Sequence, residues 1–371
     1  MKGIRLTRTV RAAAAVLASL GLTVLLAEAV LRIGTNADFL LRPFPNIEWM
    51  AVDPVLGWRN RPDVHRRPPD PTLRFAGADL DTDARGLQRT PTGATGRARI
   101  QILCLGDSGT FGIWWKRVPD DTVPALHGIA GYPHALERAL RSRGHDDIEI
   151  INAGVIGYTS AHGLRQLTTL LHDARPDITL VRFGYNDHAR AWDPALRVPE
   201  PASPFGRWLL TNASRWQVAR LVLAGYQRAP LHPESDSVPW VPPEQFASNL
   251  RRLAEVLRER GSQVLFLDYP LRPRSWGQFP EDSIHATLTG AEDVDALYRN
   301  HAEYQSILSD VAARDGLHWL ETRAALTRRE DRFFEDSDLV HPNDRGANAL
   351  SELVATEIEA RGWTEKVPGR N

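Results

Sequence analysis

From residue 97 toward the C-terminus, the hydrophobic residues follow two patterns that alternate along the chain. Short continuous apolar runs are typical of strands that are buried on both faces. Longer stretches with an apolar residue every three or four positions are typical of amphipathic helices. The continuous runs predict five strands, at 99–105, 148–152, 177–183, 264–267 and 317–320.

Helices are predicted in the intervals between these strands and after the last of them. One begins at Tyr132-Pro133 and ends before Gly144, because glycine readily terminates a helix. The others are predicted at about 160–172, 206–226, 243–260, 295–314 and 343–361. Alternating strands and helices predict an α/β fold, with a five-stranded parallel sheet between two helical layers.

The N-terminus has a different pattern, because basic residues precede an uncharged run from Ala12 to Ala27. The apolar stretch continues to Leu31, which gives about the length needed to cross a bilayer. The basic flank orients the N-terminus inward. We therefore predict a membrane anchor over 1–34, a single-pass protein, and a catalytic domain on the outer side, periplasmic or extracellular.

Two other interpretations of this stretch stay open. The sequence Ala27-Glu28-Ala29 has the small-x-small form of a signal-peptide cleavage site, so the helix could be removed after export. A buried core helix is the third interpretation, and it leaves the basic flank unexplained.

Residues 35–96 are rich in proline, arginine and aspartate and show few apolar periods. A flexible stalk is one interpretation of this composition. Trp49, Trp58, Leu73 and Phe75 favour a packed apron instead, because large apolar side chains are normally buried. We thus divide the chain into an anchor, an irregular apron or linker, and a main domain at 97–362.

Composition excludes several classes of function. The net charge is −1 over 371 residues, which gives no electrostatic argument for nucleic-acid binding. The single cysteine, Cys104, lies in an apolar strand and is expected to be a core residue. The twelve histidines are scattered, and H-E-x-x-H, P-loop and strand-linked G-x-G-x-x-G motifs do not occur, so we expect no metal and no cofactor.

Candidate chemistry begins where the strand at 99–105 meets Gly106-Asp107-Ser108-Gly109. Glycine permits a tight turn there, and the turn places Ser108 at the C-terminal edge of the sheet, where ligands bind in open α/β folds. Three more polar segments adjoin predicted strand ends: Asn152-Ala-Gly154, Gly184-Tyr-Asn186-Asp187 and Asp338-Leu-Val-His341. Taken singly, each of them is also compatible with an ordinary capping or turn residue.

In this order the four segments resemble the blocks of the SGNH hydrolases, also called the GDSL-like lipase/acylhydrolase family. The resemblance covers about residues 97–360 and places the family's serine, glycine, asparagine and histidine at Ser108, Gly154, Asn186 and His341, with Asp338 beside the histidine. It implies a three-layer α/β/α, flavodoxin-like domain and serine ester chemistry. The α/β-hydrolase elbow G-x-S-x-G is absent, because Thr110 occupies its last position.

A serine needs a base to take its proton, and the base needs a partner that fixes its tautomer. The spacing Asp-x-x-His occurs three times, at 282–285, 315–318 and 338–341. His318 enters a predicted core strand, and His285 lies in an insertion with no strand end beside it. Only His341 is followed by Pro-Asn-Asp-Arg-Gly and a helix, as the resemblance requires, so we predict Asp338 and His341 as the catalytic pair.

Ester cleavage passes through an oxyanion that needs hydrogen-bond donors. The predicted donors are the backbone N–H groups of Ser108 and Gly154 and the side-chain amide of Asn186. Asp107 and Asp187 are expected to shape their turns rather than to move protons. The chain departs from its relatives at 113–131, where Trp114-Trp115 could stack on a sugar ring or cap the core.

The resulting expectation is an SGNH/GDSL-type esterase that removes O-acetyl groups from a cell-surface or exported glycan. The alternatives are an O-acetyltransferase on such a glycan, a lipid or thioester acylhydrolase, and a non-catalytic glycan-binding or scaffold protein. The expected partners are an acylated small molecule or glycan and the membrane, with no nucleic acid. Acyl-chain length, the role of the insertion at 188–241, and oligomeric state stay open.

Overall fold

A computed structural model gives the conformation of most of the chain. It describes residues 8–34, 49–53, 55–66, 80–90, 100–116, 125–127, 131–189, 216–219, 221–222, 239–277 and 279–365. The chain forms two compact units. One combines Met1–Arg59 with Asp193–Pro230, and the other combines Asn60–Trp192 with Leu231–Asn371.

The helices, in chain order, are α1 (Arg8–Gly34), α2 (Ser108–Phe111), α3 (Tyr132–Ser142), α4 (Ser160–Thr168), α5 (Pro243–Glu259), α6 (Pro280–Leu288), α7 (Val294–Asp315), α8 (Arg323–Leu326) and α9 (Asp344–Ala360). The strands are β1 (Met50–Asp53), β2 (Gly57–Asn60), β3 (His65–Arg66), β4 (Leu80–Asp81), β5 (Gln88–Arg89), β6 (Ile100–Gly106), β7 (Trp114–Lys116), β8 (Ala125–His127), β9 (Ile148–Asn152), β10 (Ile178–Arg182), β11 (Gln263–Leu267) and β12 (His318–Leu320).

A six-stranded sheet lies at the centre of the second unit, with the order β12-β11-β10-β6-β9-β5. The five strands from β12 to β9 are parallel, and β5 pairs antiparallel with the end of β9. The register places Gly106 opposite Arg182 and Cys104 opposite Asn152, so the C-terminal ends of the central strands lie together.

Two helical layers cover this sheet. On one face, apolar residues of β6, β9, β10 and β11 form a core with α3 and α9, which pack against each other. On the other side, α5 packs between α4 and α7. Because the central strands β6, β10 and β11 are buried along most of their length, their sequences are apolar runs instead of alternating ones.

The predicted three-layer fold with five parallel strands is confirmed. The sheet differs from the prediction by its sixth strand, β5, which lies in the segment expected to be irregular. Only two polar residues, Gln88 and Arg89, form this strand, and they are too few to produce a hydrophobic pattern. The predicted helix at 206–226 lies mostly outside the described residues, where 217–219 and 221–222 are helical.

In the first unit, the stretch Ala12–Arg32 of α1 is long and apolar enough to cross a membrane, and only 6% of its most apolar window is buried. The Glu28 carboxylate pairs with Arg32 and accepts the Val218 backbone N–H at 3.0 Å. Trp49 and Trp58 are buried, as expected for a packed segment. Leu73 and Phe75 lie outside the described residues.

Candidate active site

Ser108 is the first residue of α2, directly after the central strand β6. Asp107 caps this helical turn, because its Oδ1 accepts the Gly109 N–H at 2.9 Å. Gly106 is required by close packing, since a Cβ there would lie 2.1 Å from the Thr110 Oγ1 and 2.7 Å from the Arg182 carbonyl oxygen. The sequence therefore folds into a tight turn that fixes Ser108 at the sheet edge.

The Ser108 hydroxyl oxygen lies 2.8 Å from the Nε2 of His341. The Nδ1 of His341 lies 3.0 and 3.1 Å from the two carboxylate oxygens of Asp338. With Nδ1 donating to the carboxylate, Nε2 is left as the acceptor for the serine proton. The structure thus brings Ser108, His341 and Asp338 into one chain of hydrogen bonds.

Asp338 is held by its own turn. Its Oδ1 accepts the backbone N–H groups of Val340 and His341, both at 2.9 Å. Burial acts to raise the pKa of this carboxyl group, but the His341 charge and hydrogen bonds outweigh burial, so the pKa of Asp338 lies below its ordinary value. Asp338 is therefore ionised at neutral pH and can orient the imidazole.

Asp107 and Asp187 support turns, as predicted. The Oδ1 of Asp107 accepts the Tyr269 hydroxyl proton at 3.1 Å in addition to the Gly109 N–H. The Asp187 carboxylate accepts the backbone N–H of Ser160 at 2.9 Å and its hydroxyl proton at 2.5 Å. Burial raises the pKa of Asp107 to about 6 and that of Asp187 to about 7.

Gly154 has a different role from the predicted one. Its N–H donates to the Asn152 side-chain oxygen at 2.9 Å, so this group is already bonded within the protein. A Cβ at this position would lie 2.3 Å from the Phe111 backbone nitrogen. The glycine at 154 is therefore explained by close packing against α2, and the expectation that it donates to an oxyanion is not met by this geometry.

A second glycine, Gly157, lies three residues after Gly154. It has a φ of 80° in the turn closed by the Tyr158 N–H and the Val155 carbonyl oxygen. The Val155 N–H donates to the Gly106 carbonyl oxygen, which ties this turn to the end of β6. Among the residues that the structure describes, the N–H groups of Gly157 and Ser108 have no hydrogen-bond acceptor.

Asn186 lies between these two turns. Its amide nitrogen donates to the Tyr158 carbonyl oxygen at 2.9 Å and lies 3.3 Å from the Oδ2 of Asp107. The structure therefore places Asn186 beside both the Gly157 turn and the cap of α2. In the sequence, the second glycine of Gly154-Val-Ile-Gly157 is the feature that could have indicated the turn at Gly157.

The segment before the main predicted domain also reaches this region. The Asn152 amide donates to the Gln88 side-chain oxygen at 2.8 Å, and the Gln88 amide donates to the Phe111 carbonyl oxygen at 3.2 Å. The Asn60 amide donates to the Gly154 carbonyl oxygen at 3.1 Å. These buried hydrogen bonds connect residues 60 and 88 to the end of α2 and to the loop at 152–154, and so stabilise both segments next to Ser108.

The two rejected histidines occupy different places. His318 lies on β12 and bonds to Arg361 through its Nδ1, at 2.6 Å. His285 lies on α6, and its Nδ1 is 3.0 Å from the hydroxyl oxygen of Tyr185. Tyr185 is the residue directly before Asn186. Burial lowers the pKa of His285, and the nearby Asp338 charge opposes that shift. The pair His285–Tyr185 thus lies near the triad, which the sequence did not reveal.

Trp114 is partly buried, and its indole nitrogen donates to the Asp344 carboxylate at 3.1 Å. This bond connects β7 to the first residue of α9, three positions after His341. The Trp115 side chain lies outside the described residues. Cys104 is fully buried, and burial raises the pKa of its thiol, which is consistent with a core role.

Comparison with known proteins identifies the family to which this chain belongs. The model of the GDSL-like Lipase/Acylhydrolase family matches residues 104–349. Esterase TesA of Pseudomonas aeruginosa is 30% identical over 116 residues, which are 30% of this chain and 54% of that protein. An Arylesterase of Vibrio mimicus is 32% identical over 103 residues, 28% of this chain and 46% of that protein. The chain thus spans about half the length of these curated relatives.

Solved structures with a similar fold include a lipase/acylhydrolase from Enterococcus faecalis, with a TM-score of 0.43 and 18% identity over 71% of this chain and 96% of that one. An acetylxylan esterase from Geobacillus stearothermophilus has a TM-score of 0.42 and 16% identity, over 70% of this chain and 94% of that one.

Proposed function

Because the chain belongs to the GDSL-like lipase/acylhydrolase family, we propose that it is a serine ester hydrolase in which Ser108 is the nucleophile and His341 is the general base. The observation that carries this proposal is the continuous hydrogen-bond chain from Ser108 through His341 to Asp338. All three side chains are almost completely buried, so bulk water does not compete for these bonds.

The first half of the reaction follows from this geometry. The Ser108 oxygen attacks the ester carbonyl carbon while the Nε2 of His341 takes the hydroxyl proton over 2.8 Å. Asp338 keeps the proton of the imidazole on Nδ1 and stabilises the imidazolium that forms. The imidazolium then gives its Nε2 proton to the departing alcohol, which leaves an acyl-serine.

The oxyanion of the tetrahedral intermediate needs donors next to Ser108. We assign this task to the N–H groups of Ser108 and Gly157, which have no acceptor within the described residues, and to the Asn186 amide. In the intermediate, the oxyanion would replace the long contact of Asn186 with Asp107, at 3.3 Å. Gly154 supports this arrangement through packing alone.

The second half of the reaction uses the same groups. Water gives a proton to the Nε2 of His341 and attacks the acyl carbonyl carbon, and Ser108 leaves as an alcohol when the imidazolium returns the proton. A sugar hydroxyl in the position of this water would make the protein an acyltransferase. The described residues of the 188–241 insertion, which are 188–189, 216–219, 221–222 and 239–241, do not favour one acceptor over the other. Hydrolysis is therefore proposed on the family relation and on the names of the curated relatives.

For the substrate, we propose O-acetyl groups on a cell-surface or exported glycan. Two features support this choice. The stretch Ala12–Arg32 is long and apolar enough to hold the protein at a membrane. From the basic residues that precede it, we propose that the hydrolase domain lies on the outer side. Trp114 is partly exposed next to the His341 loop, and an aromatic ring suits a sugar face.

The test uses the full chain in detergent micelles. Intact-mass analysis after a fluorophosphonate probe should show one adduct on the wild type and none on Ser108→Ala. An aryl acetate should be hydrolysed by the wild type alone. Absence of an adduct on a folded wild-type protein would contradict the esterase proposal and favour a non-catalytic glycan-binding role.

The substrate is tested separately with acetylated oligosaccharides and with acyl-lipid and acyl-thioester panels. Release of acetate from the oligosaccharides supports the glycan proposal. Sugar acetylation that is faster than acetate release at millimolar acceptor would make the protein a transferase, and a preference for long acyl chains would make it a lipid hydrolase.

A further inference from the structure

One described segment of the 188–241 insertion, residues 216–222 without Arg220, contacts the helix α1. The Val218 backbone N–H donates to the Glu28 carboxylate at 3.0 Å, and both residues belong to the first compact unit. Among the side chains of α1 that the structure describes, Glu28 alone is buried. The insertion therefore meets α1 at a defined position, near the C-terminal end of its apolar stretch.

The place of Glu28 along α1 gives the depth of this contact in a membrane. A helix rises about 1.5 Å per residue, so Glu28 lies about 24 Å along the axis from Ala12, and Arg32 lies about 30 Å from it. The hydrocarbon core of a bilayer is about 30 Å thick. When Ala12–Arg32 spans that core, Glu28 lies about 6 Å inside its edge at the C-terminal end of α1.

A carboxyl group at this depth is costly unless it is bonded, because lipid chains offer no hydrogen-bond donors. Two donors meet the Glu28 carboxylate. Arg32, one turn further along α1, contributes its Nε at 2.6 Å, and the insertion contributes the Val218 N–H. The segment that supplies the second donor must lie at the same depth as the group that it bonds.

The same segment exposes large apolar side chains. Trp216, Leu221 and Val222 are 41%, 42% and 68% exposed, whereas residues 217–219 are half-buried. Tryptophan is enriched where a membrane meets water, because its ring is apolar and its N–H is polar. Exposed apolar residues on a segment at this depth are therefore suited to contact with lipid.

We propose that residues 216–222, held by Glu28, lie in the membrane interface at the C-terminal end of α1 and contact lipid through Trp216, Leu221 and Val222. This inference rests on the proposed location of α1 in the membrane and adds a second point of attachment. Arg215 and Arg220 occur in the same stretch of sequence, and a long arginine side chain can bond lipid phosphates while its stem stays in apolar surroundings. The insertion is thereby held at the membrane surface.

The test uses the full chain in nanodiscs of phosphatidylcholine and phosphatidylglycerol. A nitroxide is attached to Leu221→Cys, and its collisions with oxygen, which concentrates in lipid, are compared with its collisions with a water-soluble nickel chelate. Leu20→Cys is the lipid reference, since Leu20 is exposed within the apolar stretch. Ser306→Cys, at an exposed polar position of α7, is the water reference. The native Cys104 is fully buried, so we expect it to stay unlabelled.

We expect the label at 221 to meet the nickel chelate about threefold less often than the label at 306, and to keep a high oxygen accessibility. Equal nickel accessibility at 221 and 306, with the label at 20 in lipid, would overturn the inference and leave the anchor intact. Low accessibility to both reagents would also overturn it, because protein instead of lipid would then cover the segment.

A label at 20 that reports water would overturn the anchor and this inference together. The esterase proposal is tested independently of both, because the fluorophosphonate adduct forms on Ser108.

A matched pair of variants tests the part that Glu28 plays. Glu28→Gln keeps an oxygen that can accept the Val218 N–H, so the label at 221 should stay in lipid. Glu28→Leu removes the acceptor and keeps α1 apolar, so the nickel accessibility at 221 should rise about twofold or more. Equal accessibility in the two variants would contradict the proposal that Glu28 holds the segment at the membrane.

Discussion

Of the three segments with an Asp-x-x-His spacing, 338–341 and 282–285 give the clearest contrast, because only the first of them brings its carboxylate and imidazole together. At 338–341 the Asp338 carboxylate accepts the imidazole Nδ1–H of His341. At 282–285 the Asp282 carboxylate pairs with Arg272, and the imidazole of His285 turns to Tyr185. The identical spacing therefore leads to two unrelated structures.

The difference comes from the backbone and from the available partners. Asp338 and His341 lie in a loop whose N–H groups converge on the Asp338 Oδ1, which brings the imidazole against the same carboxylate. Asp282 lies in the first turn of α6, where it accepts the Phe279 N–H at 3.1 Å. The two carboxylate oxygens of Asp282 therefore bond to Arg272 and to the Phe279 N–H, and the imidazole of His285 is oriented by Tyr185 instead.

The largest expected effect is loss of activity when the 338–341 pair or its nucleophile is removed. Ser108→Ala and His341→Ala should each lower kcat/KM for an aryl ester by about 10³-fold or more. The double variant should be no worse than either single variant, because the two groups act as a unit. His318→Ala with an unchanged circular dichroism spectrum should keep most activity, and its inactivity would contradict the choice of base.

The next test exchanges the carboxylates of the two segments for amides. Asp338→Asn should lower kcat by about 10²–10⁴-fold, because an amide can favour the wrong tautomer of His341. Asp282→Asn should keep kcat within about threefold of wild type but lower the free energy of unfolding by about 3 kcal/mol, because Arg272 loses its buried partner. Steady-state kinetics and urea unfolding measure the two effects.

A pH profile should distinguish the two histidines. The value of kcat/KM should rise with pH through one ionisation, because the base must be unprotonated to take the Ser108 proton. Because burial lowers the pKa of His285, we expect that residue to be neutral near pH 7 and to add no second step there. The profile of His285→Ala should have the same midpoint, and a displaced midpoint would show that the two imidazoles are coupled.

The lowered pKa of Asp338 also gives a prediction for the pH dependence of stability, with a definite sign. The pKa of Asp338 is lower in the folded state than its ordinary value, so the folded protein binds fewer protons there than the unfolded chain. The stability that this group contributes is present above about pH 4 and is lost as the pH falls further. Thermal unfolding of wild type and Asp338→Asn between pH 3 and 6 should converge at the acidic end.

The smallest expected effect concerns the His285–Tyr185 pair. Tyr185→Phe and His285→Ala should change kcat/KM by less than about tenfold, since loss of one neutral hydrogen bond is worth about 1 kcal/mol. Any change should appear in KM if the pair lines the substrate path. A loss in kcat comparable to that of Asp338→Asn would mean that α6 takes part in the chemistry.

Much of the fold could be predicted because the central strands β6, β10 and β11 are buried along most of their length and therefore appear as apolar runs. Ser108 could be predicted because it lies in the turn that directly follows β6. Asp338 and His341 could be predicted because they are followed by Pro-Asn-Asp-Arg-Gly and the last helix, as the family resemblance implies. The structure joins them at 2.8–3.1 Å. At these positions the local sequence favours the same turns that the folded protein contains.

The missed features depend on contacts between distant segments. We assign the oxyanion contact to Gly157 instead of Gly154 because the Gly154 N–H already donates to the side-chain oxygen of Asn152. Tyr185 and His285 are a hundred residues apart, and no period or motif connects them. Arg182 is a single charged residue at the end of an apolar strand. That its Nη1 and Nη2 find no acceptor among the described residues is visible only in the packed structure.

The strand β5 and Asn60 have a practical consequence for anyone who shortens this protein. The family match begins at residue 104, which suggests a convenient place to cut away the apolar helix. Gln88 and Asn60, however, contribute amide groups to the loops around Asn152 and Gly154. A recombinant version that starts at the homology boundary would lose these groups and expose the edge of β9. The natural boundary for a soluble product therefore lies upstream of Asn60.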